Sequence, residues 1–104
     1  MENAIARTYV IMKSPKGVQT EVIIEIGCPY SISDDEAACP IRMAGLYEKI
    51  HDIHGVDTFQ ALALALEFVR ITIRCREEKG FSFAFPNGGT LPDNFFFEDE
   101  EEDE

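Results

Sequence analysis

The sequence predicts an α+β fold: an antiparallel β-sheet of about four strands with one long helix, in the C-terminal half, packed on one face. Two observations predict the elements and a third says they can hold together. From Val18 to Ile26 apolar and polar residues alternate with period two, as in a strand with one buried face. From Phe59 to Ile73, 11 of 15 residues are apolar, behind a helix-start signal at Asp57. A chain of 104 residues, 45% hydrophobic with eight Phe, is one domain able to bury roughly two-thirds of its unfolded surface.

In chain order, "IARTYVIMKSPKGVQTEVIIEIG" reads as a hairpin. Ser14-Pro15-Lys16-Gly17 places Pro where a turn fixes φ and Gly where φ turns positive. In its second strand Val18, Thr20, Val22, Ile24 and Ile26 share one face, and Gln19, Glu21, Ile23 and Glu25 the other. Pro29, Ser31, Ser33 and the acids Asp34, Asp35 and Glu36 read as a loop, after which "CPIRMAGL" (39–46) suits a third strand ended by Gly45. "YEKIHDIHG" is balanced between a helical turn and an edge strand, and its bounding glycines tip the reading to extended.

Asp57 followed by Gln60 resembles a capping box, in which Asp accepts an orphan amide and Gln reaches back to the cap. The helix then runs from about 57 to 79, apolar over most of its circumference, with Leu62, Leu66 and Val69 expected to face the sheet. Arg74, Arg76 and Lys79 suit its C-terminal dipole, and Gly80 its C′ position. "FSFAF" (81–85) gives a last strand before the "PNGGT" turn. Residues 1–97 form the domain, with Phe95–Phe97 expected to dock on it as an apolar anchor, and residues 98–104 form an acidic tail.

These motifs resemble a family. "GVDTFQALALALEFV" (55–69), preceded by "CPIRMAGL" (39–46) and by a strand ending in Ile26-Gly27, is similar to small uncharacterised bacterial proteins that share a Gly-Val-Asp-x-x-Gln-Ala-Leu helix start. The likeness covers roughly residues 5–86. It implies a bacterial origin and a sheet with one long packed helix, and carries over no catalytic residue; the acids after Phe97 depart from the pattern.

Charge is the strongest global signal. Twenty acids against nine basic residues give −11; removing the seven acids of residues 98–104 leaves 13 against nine, or −4. Such a field repels nucleic acid and anionic membranes and attracts basic surfaces. No apolar run approaches the ~20 residues of a membrane span, and "MENAIARTYVIMK" lacks the parts of a signal peptide, so a cytoplasmic location is expected. Three cysteines without a C-x-x-C pair read as thiols.

No constellation specifies chemistry. His51 and His54 flank Asp52 at H-x-x-H spacing, with Cys39 as a further donor, but in an extended segment residues three apart point to opposite faces, so no metal is expected. Cys39 and Cys75 read as packing residues rather than nucleophiles, although Arg74 and Arg76 flank Cys75. "PNGGT" lacks the base and helix of a phosphate loop. Asp57 and Gln60 are accounted for by capping.

The reading left is a non-enzymatic, cofactor-free, acidic protein-binding module: an immunity protein or inhibitor neutralising a basic, nuclease-type toxin. Its candidate partner-binding residues are Asp34, Asp35 and Glu36 with Glu98, Asp99, Glu100 and Glu101. Two alternatives stand beside it. One is a small enzyme or ligand-binding domain with a pocket near Cys39, Tyr47, His51 and His54. The other is a homodimeric module pairing edge strands or Phe95–Phe97.

Overall fold

The computed structural model describes Met1 and residues 3–91. Strands β1 (Ala4–Lys13) and β2 (Gln19–Gly27) form the expected antiparallel hairpin. Its turn is closed by Ser14, whose Oγ accepts from the Lys16 and Val18 amides at 3.2 and 3.0 Å, while Gly17 takes φ 91°. After β2 come β3 (Tyr30–Ser33), β4 (Glu36–Ala44), β5 (His51–Gly55), helix α1 (Thr58–Glu78) and β6 (Ser82–Ala84). Among the described residues the fold is α+β: one six-stranded antiparallel sheet and one helix.

Register fixes how the strands lie. Ile41 of β4 faces Ile26 of β2 on one side and His51 of β5 on the other, and Ala38 faces Tyr30 of β3 and His54 of β5. β2 and β3 therefore run end to end along one edge of β4, with β5 along the other. Two strands more than the expected four result, and β3 falls where a loop was expected. Pro29 and the serines gave a breaker signal, but Pro29 sits in the joint between β2 and β3, and only Asp34 and Asp35 form the turn. β4 accordingly begins at Glu36, not Cys39. Pro40, which cannot donate to a ladder, lies opposite that joint, where the register from Ile26–Ile41 to Tyr30–Ala38 is interrupted.

One face of the sheet carries the core. Val10, Met12, Val22, Ile24 and Ile26 of the hairpin and Ala37, Cys39, Ile41 and Met43 of β4 meet Ala61, Ala65, Val69 and Ile73 of α1, with Phe83 of β6 at the margin. Small helix residues allow a close approach, and Gly55 completes it: a Cβ there would lie 2.6 Å from the Ala61 nitrogen.

The cap forms nearly as expected. Asp57 accepts from the Gln60 amide at 2.9 Å, but the Gln60 side chain accepts from Val56 at 2.8 Å, one residue before the cap. At the C-terminus Phe81 and Gly80 donate to the Arg76 and Glu77 carbonyls at 3.1 and 3.0 Å, with Gly80 at φ 96°, which ends the helix. Of the three helix residues expected to face the sheet, Val69 is buried and Leu66 is not. Leu66 is 42% exposed, and Phe59, Leu64 and Ile71 are exposed with it, because the sheet supplies one apolar surface and Ala61 and Ala65 occupy it. No helix among the described residues is long and apolar enough to cross a membrane. The expected anchor at Phe95–Phe97 and the acids at 98–104 lie outside the described residues.

Candidate protein-binding surface

The face of the sheet opposite α1 carries the polar set of β2. Across it Arg7 of β1, Glu25 of β2 and Arg42 of β4 lie opposite one another in register. Glu25 is 2% exposed and accepts from Arg7 Nε at 2.6 Å and from Arg42 Nη1 at 2.9 Å; the Met1 amino group lies 3.4 Å from its Oε1. The hydrogen bonds from Arg42 and then Arg7 outweigh burial and hold the carboxyl down at about 2. Glu25 in turn pushes the Arg7 guanidinium up. No sequence signal marked this triple as a unit, because its members are 18 and 17 residues apart. Alternation did place Glu25 on the polar face. Beside the triple lies a shallow depression of about 530 Å3, lined by Met1, Gly27, Cys28, Tyr30, Pro40 and Ile50.

At the far end of the same face the β3–β4 hairpin projects. All four residues of β3 are exposed, including Tyr30 at 45% and Ile32 at 48%. Asp34 and Asp35 form its tip, where Ser33 Oγ donates to Asp35 Oδ1 at 3.0 Å. Glu36, the first residue of β4, reaches across to β5 and meets His54 Nδ1 at 2.8 Å. Asp52 of β5 is exposed next to Tyr30, whose hydroxyl is pushed up first by burial and then by the Asp52 charge. The hairpin therefore carries Asp34, Asp35 and Glu36 on the same short element as exposed Tyr30 and Ile32, and Asp52 of β5 lies beside Tyr30. Tyr30 and Ile32 were missed in the sequence because Pro29 and the serines masked the strand.

Of the four residues of the alternative pocket, Tyr47 and His51 come into contact while Cys39 and His54 lie apart from them. Cys39 is buried in the core, where its thiol donates to the Gly27 carbonyl at 3.5 Å, and burial pushes it up, with Cys28 and Asp52 adding to the effect. His51 packs edge-on against Tyr47 and at a tilt against Phe68, at ring-centroid distances of 5.0 and 5.6 Å, on the helix side of β5. His54 points to the other face, towards Glu36. Among the described residues no group of three His, Cys, Asp or Glu side chains sits where it could hold a metal ion. Cys75 is exposed, and its neighbour Arg76 lies over the Phe81 ring, 5.3 Å from the centroid.

The family model described as Domain of unknown function (DUF6968) matches residues 6–89. The chain belongs to that family. The matched segment contains the whole β3–β4 hairpin and the Arg7–Glu25–Arg42 triple, and it stops before the acids at 98–104. No curated protein and no solved structure matches the chain.

Proposed function

We propose that this chain is an acidic protein-binding module that engages a basic protein, in the manner of an inhibitor or immunity protein set against a nuclease-type toxin. The observation that carries the reading is the β3–β4 hairpin, which exposes Tyr30 and Ile32, carries Asp34, Asp35 and Glu36 at its tip and has Asp52 beside Tyr30. A small apolar centre with a charged rim is the anatomy of a recognition surface, and Tyr is favoured at its centre. The net charge of −11 speeds encounter with a positively charged partner without contributing much to the lifetime of the complex. Bacterial origin and a cytoplasmic location belong to the same proposal.

The test separates the two contributions. Full-length protein is immobilised, a lysate fraction of basic proteins is applied at low salt, and the species released as salt rises is identified and its binding kinetics measured. Asp34→Asn with Asp35→Asn should slow association and flatten its salt dependence. Tyr30→Ser with Ile32→Ser should speed dissociation at every salt concentration. A complex that neither pair of substitutions alters does not use this hairpin, and the proposal fails.

A further inference from the structure

A buried carboxylate costs stability unless it is paired, and Glu25 is paired twice. Its side chain is 3% exposed, while those of Arg7 and Arg42 on either side of it are 44% and 36% exposed. Among the described residues each arginine donates one hydrogen bond, to Glu25, and so keeps most of its N–H donors for another acceptor. Two guanidinium groups on one carboxylate leave a surplus charge of +1, to which the Met1 amino group adds. The surplus acts on Glu25 itself, whose carboxyl is held down at about 2. Its sign is the reverse of the −11 carried by the chain.

The depression beside the triple supplies an apolar half. Gly27 lies two residues beyond Glu25 on β2, and Pro40 two residues before Arg42 on β4, so both share the face of the triple, roughly 7 Å further along. Met1 ties the two places together. Its amino group is 3.4 Å from Glu25 Oε1, and a Cβ on Gly27 would come 3.0 Å from its sulfur and 2.8 Å from Pro40 Cγ. Met1, Pro40 and Ile50 give the depression its apolar lining, and Tyr30 adds a phenol. Its volume of about 530 Å3 falls within the roughly 300–1,000 Å3 of small-molecule sites.

We propose that this face binds a small organic oxyanion with an apolar body, a carboxylate or a phosphate ester, whose acid group bridges Arg7 and Arg42 and whose carbon chain lies in the depression. Arginine suits the head group because its planar fork of N–H donors matches carboxylate and phosphate oxygens, and Glu25 holds both forks in place from the sheet. The site stands independently of the hairpin's part in protein binding.

The test is an NMR titration of the isotope-labelled full-length protein with hexanoate, with hexyl phosphate and, as the uncharged control, with hexanamide. One or both anions should shift the Arg7 and Arg42 side-chain signals and the Gly27, Cys28 and Ile50 amides along one saturating curve, and hexanamide should leave them in place. The anion that binds more tightly identifies the head group. Arg42→Gln should weaken that binding about tenfold or more, as loss of a charge-assisted hydrogen bond does, and Arg42→Lys should restore only part of it. The proposal is overturned if neither anion gives a saturating shift, if hexanamide binds as well as the anions, if the shifts gather on α1, or if a folded Arg42→Gln protein binds as wild type does.

Discussion

Ile73 and Leu66 carry similar side chains on the same helix, yet the structure gives them opposite weight. Ile73 is buried against the sheet, so Ile73→Ala leaves a cavity and should lower stability by about 2–5 kcal/mol. Leu66, 42% exposed, should cost only about 0.5 kcal/mol when changed to Ala. Chemical denaturation of the two variants checks the pair, and equal losses would place the wrong face of α1 on the sheet. Glu25 makes a second residue-scale prediction, in pH. Its carboxyl is held from an ordinary 4.5 down to about 2, so the folded state binds this proton less readily than the unfolded chain. Its contribution is complete above 4.5 and is lost as pH falls towards 2. Glu25→Gln should therefore be less stable than wild type at neutral pH, and the gap should narrow through that acid window. A gap independent of pH would mean that the arginines do not act on the charge.

At the scale of the element, α1 was legible because its signals are local: a cap, a C′ glycine and a dense apolar run all lie within one segment. Asp57→Ala should cost about 0.5–2 kcal/mol, and the helix signal in circular dichroism should survive, since the cap satisfies one amide of a 21-residue helix. Which face of α1 is buried was not legible, since nearly every position is apolar and only the sheet's width decides. The strands divide in the same way. Alternation marked β2, whereas β3 is four residues flanked by breakers and exists because β4 runs alongside it. Gly55 shows how tightly helix and strand are set. Its added Cβ would meet backbone, at 2.6 Å from the Ala61 nitrogen, and backbone cannot rotate away as a side chain can. Gly55→Ala should therefore lower the melting temperature more than Asp57→Ala does, and the reverse order would argue that α1 slides freely on β5.

For the whole molecule, charge sorts what sequence reading could and could not find. Asp34, Asp35 and Glu36 were visible as a run, but their setting was not: they sit at the tip of a hairpin that also exposes Tyr30 and Ile32, and Asp52, 16 residues beyond Glu36, comes beside Tyr30. Among the described residues the buried core runs from Val10 to Phe83, and residues 98–104 are all Asp or Glu, so removing them should leave the melting temperature nearly unchanged while taking net charge from −11 to −4. Association with a basic partner loses long-range attraction, so its rate at low salt should fall and its salt dependence flatten. Dissociation should stay as it is, because short-range contacts at the hairpin set the lifetime of the complex while the distant acids act on encounter. A truncated protein that associates at the full-length rate in low salt would leave residues 98–104 no part in recognition.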